Sequence, residues 1–199
     1  YLECVMAKLV YGVGVTDINI NSDYLKHWYA IWRAMICRSV CEKFKNKYKN
    51  YQNVSVCDDW IYFSKFIMDV SSIKNSNMSI ECGWHMDKDI LIRNNKTYSK
   101  ETVCFVPKDI NNLFIKRGKL RGDFPIGVGY HKPLDKFRAQ INKDKKKIHL
   151  GLFDSVDDAF LAYKVAKESH VKFVANRWKS EIAYDVYNAM IDYKVEIND

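Results

Sequence analysis

A short segment of this chain carries four ionisable side chains, His85, Asp87, Lys88 and Asp89, just before the aliphatic run Ile90–Ile92. Alternation along a strand would place Asp87 and Asp89 on one face. The imidazole of His85 could activate water, but a histidine flanked by apolar residues is more often a packed or surface residue. Lysine is a poor general base, so Lys88 is predicted to hold a phosphate group.

The elements that would position this segment follow the order strand, loop, strand and helix. The strand-like run His85–Ile92 is followed by the turn Arg93–Lys96, and Cys104–Val106 is predicted to be the returning strand. Pro107, at a first helical position, then opens a helix through Asn111. This order is typical of a ββα-metal nuclease core.

Two helices and a strand are predicted ahead of this unit. Ser22-Asp23 can cap a helix that runs to about Phe44 and buries an apolar stripe. The strand Val54–Cys57 leads to Asp58, a candidate N-cap for a second helix. The Ser- and Asn-rich stretch Ser71–Ser79 is predicted to be a loop.

Positive charge is concentrated in one part of the chain. The net charge is +8, and residues 116–150 contain eleven Lys and Arg against three Asp. Such a block favours a polyanionic partner, most often nucleic acid, because each phosphate contact releases counterions. A solvated basic face is the alternative. A smaller alternating series, Lys43 to Lys49, could touch a phosphate backbone or be a frayed helix end.

The six cysteines include no C-x-x-C pair, and the one close pair, Cys37 and Cys41, lies on a predicted helix. This spacing favours neither a zinc site nor a disulfide framework, so small buried hydrophobes in a reducing cytoplasm are predicted. No apolar run approaches the roughly 18 residues of a membrane span. The stretch Tyr1–Val5 resembles leader sequence, with folding expected to begin at Met6.

The C-terminal part combines a predicted three-stranded sheet with two helices. Strands are expected at Gly127–Tyr130, Phe137–Ile141 and Ile148–Leu152, separated by lysine-rich turns. Ser155 caps a helix that continues toward Glu168. A last helix is predicted from one packing face with four-residue spacing: Trp178, Ile182, Val186 and Met190.

This C-terminal module resembles the ethylene-response-factor (APETALA-type) DNA-binding domain of plants. The resemblance is carried by Gly127-Val128, Phe137–Ile141, Leu150–Phe153 and Ser155–Ala159. It implies a sheet in the major groove, and alternation along the second strand makes Arg138 and Gln140 the candidates for base contacts. The candidates for phosphate contacts are Lys132, Lys136, Lys145 and Lys147 in the sheet, and Lys116, Arg117, Lys119 and Arg121 in the linker before it.

The N-terminal part, about Tyr11 to Phe114, resembles phage-encoded HNH homing-type endonucleases, which often carry such a C-terminal domain. The echoing residues include Gly12-Val13-Gly14, Trp32, Gly83-Trp84, Asp87–Leu91, Tyr98-Ser99 and Phe105–Pro107. The resemblance implies one Mg2+ or Mn2+ ion, bound by Asp87 and Asn111 with Asp89 as a further ligand, and catalysis by His85, Asp87, Lys88, Asp89 and Asn111. Lys88 stands where the family has histidine, and Thr102 stands where it has a loop-bracing asparagine.

The predicted fold class is α+β: an N-terminal helical segment with a ββα-metal (HNH-like) core, then a three-stranded antiparallel sheet packed on a helix plus a C-terminal helix. The expected domains are 6–116, a basic linker 117–126, and 127–199. The predicted function is metal-dependent endonuclease action on double-stranded DNA in the bacterial cytoplasm, without a membrane partner. An inactive DNA-binding protein and an RNA-binding module are alternatives, and the oligomeric state stays open, a monomer included.

Overall fold

The computed structural model describes residues 8–115, 124–143 and 146–197, which form helices and four small sheets. This mixture of helix and strand is an α+β fold, as predicted. The chain divides into two units, Tyr1–Asn111 and Asn112–Asp199. Tyr1–Val5 and residues 116–123 of the basic segment lie outside the described residues. Among the described helices, none is both long and apolar enough to cross a bilayer.

The first unit begins with a hairpin that the sequence did not predict, β1 (Lys8–Val10) and β2 (Gly14–Thr16). Gly12 lies in its turn with φ +77°. A side chain at Gly14 would place a Cβ only 2.9 Å from the ring of Trp32. The two glycines therefore serve a tight turn and a close strand–helix approach.

Helix α1 (Asp23–Val40) is capped by Ser22, whose Oγ accepts a hydrogen bond from the Leu25 amide at 3.2 Å. Its predicted apolar stripe is buried. The predicted extension to Phe44 is wrong, because Cys41 adopts an extended conformation and separates α1 from a short helix, α2 (Glu42–Lys47). A 3-10 turn, Lys49–Tyr51, follows α2.

Helix α3 (Phe63–Val70) starts later than predicted, and Asp58 makes no side-chain capping bond. The cap comes from Asp17 instead: its Oδ1 accepts from the Ser64 amide at 2.9 Å, and its Oδ2 accepts from the Ser64 hydroxyl. A further short helix, α4 (Asn77–Glu81), lies partly in the stretch predicted to be a loop.

The core of the first unit is built from large aromatic side chains. The indole Nε1 of Trp32 donates to the Trp60 carbonyl at 2.7 Å, and Nε1 of Trp60 donates to Oδ2 of Asp69 at 2.9 Å. Their polar atoms are thereby satisfied inside an apolar cluster. The fully buried aromatic members are Trp28, Trp32, Trp60, Phe63, Phe66 and Phe105.

Two short strand pairs position the segment His85–Asp89, which contains the candidate catalytic residues. β3 (Ser55–Val56) pairs in parallel with β5 (Thr97–Tyr98), a pairing that the sequence did not predict. β4 (His85–Asp87) pairs antiparallel with β6 (Cys104–Val106), and α5 (Lys108–Leu113) follows Pro107 directly. The strand, loop, strand and helix order is present as predicted.

The second unit contains an antiparallel sheet in the order β7-β8-β9. Its strands are β7 (Val128–His131), β8 (Lys136–Lys143) and β9 (Lys146–Phe153). The sheet packs on helix α6. All three predicted strands are confirmed: β7 is shifted by one residue, and β8 and β9 are longer than predicted.

Helix α6 (Val156–Arg177) is capped as predicted, with the Asp158 amide donating to Ser155 Oγ at 3.1 Å. The predicted last helix is wrong at its start, because Trp178 ends α6 and α7 spans only Tyr184–Ile191. Ile182, Val186 and Met190 are nonetheless buried, as their spacing indicated.

The cysteines of the described residues are free thiols. Cys104 is buried, as predicted, whereas Cys37, Cys41 and Cys57 are half-buried and Cys82 is exposed. Among the cysteines that the structure describes, the prediction of burial therefore holds fully only for Cys104.

Candidate functional site

The hairpin β4–β6 and helix α5 bring together two side chains separated by 26 residues. Nδ2 of Asn111, on α5, lies 2.9 Å from Nδ1 of His85, on β4. His85 and Asp87 are two residues apart on the same strand and so share a face of the hairpin. His85 and Asn111 therefore form a hydrogen-bonded pair, and Asp87 lies on the same face of the hairpin. We call these three residues the polar cluster.

In this hydrogen bond, the orientation of the Asn111 amide determines the tautomer of the His85 imidazole. An amide nitrogen only donates, so Nδ1 of His85 accepts and the neutral ring carries its proton on Nε2. In this state His85 can donate from Nε2, and Oδ1 of Asn111 faces away from the ring nitrogen. If the amide rotates by 180°, Oδ1 accepts from a protonated Nδ1 and leaves Nε2 basic.

The Asp87 carboxylate closes the turn at the end of β4. Its Oδ1 accepts from the backbone amides of Asp89 at 2.7 Å and Ile90 at 3.0 Å. Burial raises the pKa of Asp87 above its ordinary value, although both backbone bonds favour the charged form. In the described part of the chain, no group bonds to Oδ2 of Asp87, which leaves one oxygen for a ligand.

The predicted strand His85–Ile92 is wrong beyond Asp87, because β4 ends there. Asp89 consequently lies in the turn, and strand alternation does not place it beside Asp87. Its exposed carboxylate pairs with Lys88 instead, with Nζ to Oδ1 at 2.6 Å.

Lys88 does not lie at the protein surface, where the predicted contact with a phosphate group would require it. It is only 5% exposed, and its Nζ donates to Asp89 and to the Asn95 carbonyl at 3.1 Å. The ammonium also sits 5.7 Å from the centre of the Tyr98 ring. Its charge is thus satisfied within the loop that joins the two strands.

Asn95 braces this loop, and the sequence analysis missed that role. Its Nδ2 donates to the carbonyls of Lys88 and Thr97, both at 2.8 Å, and its Oδ1 accepts from the Thr97 amide at 3.2 Å. The last bond, from a residue two positions later, is an Asx turn, whose sequence signal is an Asn in a turn before a strand. Asn94, next to it, carries the same signal, so residue type alone could not choose between them.

Thr102, which stands where the resembled family has its bracing asparagine, also bonds to the loop backbone. Its Oγ1 donates to the Thr97 carbonyl at 2.8 Å and accepts from the Ser99 amide at 3.0 Å. The loop is therefore held at both ends by side-chain contacts to the backbone.

The donor types in the polar cluster fit a hard divalent cation. The unbonded oxygen of Asp87 and the amide oxygen of Asn111 are ligands that Mg2+ and Mn2+ accept. Among the described residues, no group of three or more His, Cys, Asp or Glu side chains could hold a metal ion. An ion here would therefore depend on the asparagine and on water for further ligands.

The second candidate surface is the face of the sheet that points away from α6. Ala139 and Ile141 are buried in the core beneath β8, so Arg138 and Gln140 lie on the opposite face, as alternation predicted. A Cβ added at Gly129 would lie 3.7 Å from Nη2 of Arg138, because the guanidinium extends over that position.

Two nitrogens on this face have no hydrogen-bond partner within the described residues. They are the buried Nε of Arg138 and the buried Nδ1 of His131. Gln140 faces His149 across the strand pair, after an irregularity in the register between Ala139 and Gln140.

The predicted phosphate-contacting lysines differ in their surroundings. Lys132 and Lys147 are exposed, while Lys136 pairs with Asp154 at 2.9 Å. Five of the predicted contacts lie outside the described residues: Lys116, Arg117, Lys119, Arg121 and Lys145.

Similarity to known proteins does not assign a function to either candidate surface. No protein-family model matches the chain, no curated protein is significantly similar to it, and no solved structure matches it.

Proposed function

We propose that this chain is a metal-dependent endonuclease that nicks or cuts duplex DNA and holds the DNA with the sheet of its second unit. The observation that carries the proposal is the cluster of His85, Asp87 and Asn111 on a hairpin followed directly by a helix. A strand and a helix hold these groups in position, so little further conformational entropy is lost when they are aligned for the reaction.

Within this proposal, Asp87 and Asn111 provide oxygen ligands for Mg2+ or Mn2+. When bound, such an ion would stabilise the charge on the scissile phosphate. His85 contacts the substrate through Nε2, which donates to a phosphate oxygen while Nδ2 of Asn111 bonds to Nδ1 and Oδ1 of Asn111 is left for the ion. Lys88, Asn95 and Thr102 hold the loop and make no direct contact with DNA.

The sheet of the second unit supports DNA as the substrate. A sheet face fits the wide major groove, and Arg138 and Gln140 project from its middle strand. Arg138 is half-buried on this face, and within this proposal its guanidinium group contacts a base edge or a phosphate.

The experiment is plasmid cleavage by the full chain with Mg2+ or Mn2+ and with EDTA. Wild type is expected to convert supercoiled plasmid to nicked or linear forms only with metal, and Asp87→Asn is expected to lose at least a hundredfold in rate. Asp23→Asn is the matched control, because Asp23 is an exposed carboxylate on α1 whose one salt bridge within the described ranges is with Lys26. No cleavage by wild type with either metal would refute the endonuclease assignment.

A second candidate function is DNA binding without cleavage. It is favoured by the observation that the residue after Asp87 is a buried lysine engaged within its own loop. In that case, wild type and Asp87→Asn would bind a labelled duplex equally, in EDTA as well as in metal. Arg138→Ala would weaken that binding by about 1–3 kcal/mol under either function if Arg138 reads a base.

A further inference from the structure

Helix α6 of the second unit exposes a row of large apolar side chains. Leu161, Val165 and Phe173 are 57%, 58% and 63% exposed. Their spacing places them within an arc of about 120° on one side of the helix. No other helix of the described chain exposes more than one large apolar side chain. We call these three residues, together with the exposed Ser169 between them, the outer row of α6.

The opposite side of α6 packs on the rest of its unit. Ala159 and Tyr163 belong to the core that the helix forms with the sheet. Val171 and Val174 are buried further along the helix. The outer row therefore lies on the side of α6 that points away from the sheet, and the core of the unit does not cover it.

The outer row presents both a protrusion and a depression. The protrusion is the ring of Phe173, toward the C-terminal end of the helix. Toward the N-terminal end lies an open depression of about 450 Å³, lined by Phe153, Asp158, Leu161, Ala162, Val165 and Ala166. Five of these six residues are apolar, and the two alanines leave room for an incoming ring.

The protrusion and the depression lie at equal distances from the middle of the helix. Phe173 and Leu161 are each six residues from Lys167, on opposite sides of it, and Val165 and Ser169 are each two residues from it. If two copies of α6 pack antiparallel about Lys167, Phe173 of each copy meets the depression around Leu161 of the other. A two-fold dimer uses the same self-complementary patch on both subunits, which this arrangement provides.

The charges along α6 favour the same antiparallel arrangement. Its first turn carries Asp157 and Asp158. Lys172 and Arg177 lie toward its other end. In an antiparallel pair, Lys172 of one copy lies opposite Ala162 of the other, about one helical turn from Asp158. A parallel pair would bring the two acidic turns together, so charge complementarity favours a second copy in antiparallel orientation.

We propose that the outer row of α6 is a homodimer interface, in which the α6 helices of two copies pack antiparallel about Lys167. This inference goes beyond the proposed function and depends on neither DNA nor a metal ion. Burial of the apolar side chains from both copies drives the association, and attraction between Lys172 and Asp158 of the other copy sets the register. Because the candidate DNA-binding face of the sheet points away from α6, the dimer leaves that face open in both copies.

The test is sedimentation velocity of the full chain, without DNA, over a range of protein concentrations. The average mass of wild type is expected to rise from 23.4 kDa toward twice that value as the concentration increases through the micromolar range. Phe173→Ser is expected to raise the dissociation constant at least about tenfold, because each dimer loses two buried rings. Tyr184→Ser is the matched control, since Tyr184 is an exposed aromatic residue of the same unit that lies on α7.

Charge reversal tests the antiparallel register. Lys172→Glu and Asp158→Lys each place like charges opposite one another, so each variant alone is expected to dimerise at least about tenfold more weakly than wild type. An equimolar mixture of the two variants is expected to recover the dimer, because every facing contact in the mixed pair again joins opposite charges. Recovery requires both variants to be folded, so it also excludes misfolding as the cause of the individual losses.

Four results would overturn this inference. Wild type that remains monomeric at every concentration does so, as does a dimer that Phe173→Ser leaves unchanged, because that dimer would use another face. An equal loss in Tyr184→Ser, or a mixture that dimerises as weakly as its two components, also does so. Plasmid cleavage and duplex binding test the proposed function separately, so the inference and the proposed function can each fail without the other.

Discussion

Replacing Asn95 with alanine tests whether this side chain holds the loop between β4 and β6. The substitution removes three hydrogen bonds, two donated by Nδ2 to the carbonyls of Lys88 and Thr97 and one accepted by Oδ1. Each such bond contributes about 1 kcal/mol net, and the Lys88 carbonyl would be left unsatisfied beside a buried side chain. The free energy of unfolding of the first unit is therefore expected to fall by about 2–4 kcal/mol.

The assay is urea denaturation followed by tryptophan fluorescence, since the three fully buried tryptophans report on this unit. Asn95→Asp is expected to lose nearly as much, because a carboxylate cannot donate to two carbonyls and would repel them. Asn77→Ala is the control: Asn77 makes one exposed bond to Glu81, so a change below about 0.5 kcal/mol is expected. A loss below about 0.5 kcal/mol for Asn95→Ala would refute the bracing role.

Three further predictions concern single side chains. Burial raises the pKa of Tyr98 to about 12, so the fold is favoured below the unfolded value near 10 and loses this contribution as pH rises toward 12. Absorbance titration should show a late-titrating phenol that is missing from Tyr98→Phe. Gly127→Ala is expected to unfold the second unit or cost more than about 3 kcal/mol, because φ is +81° and the new Cβ would lie 2.0 Å from the Tyr163 ring; an unchanged thermal midpoint would contradict this. Ser155→Ala should lower stability by about 1 kcal/mol through loss of the Asp158 amide bond, measured by thermal denaturation, with a null effect showing that the cap is dispensable.

Helix and strand positions were predictable where they depend on residues close in the chain. The stripe of α1, the cap of α6 and the strand β6 follow from apolar spacing and local capping. The prediction failed where a distant residue decides the boundary. Asp17 caps α3 from 47 residues away, and no local signal marks that contact.

The same division applies to the candidate site. His85 was predicted from its type and position, and Asp87 and Asn111 were predicted from a resemblance of pattern. The outward face of Arg138 and Gln140 followed from strand alternation. The sequence could not show that β4 ends at Asp87, since the aliphatic residues that follow favour a longer strand. The positions predicted for Asp89 and Lys88 were therefore wrong, because the prediction assumed a strand that continues beyond Asp87.

The amino-acid sequence by itself determined many of the element types, the segregation of basic charge and which side chains carry reactive groups, because periodicity and charge are properties of neighbouring positions. Only the tertiary structure decided that Asn111 meets His85, that Lys88 is buried in its own loop and that Asn95 braces that loop. These contacts depend on how the hairpin closes. A hydrogen bond forms only when both groups reach each other within about 3 Å, and packing across the whole unit sets that distance.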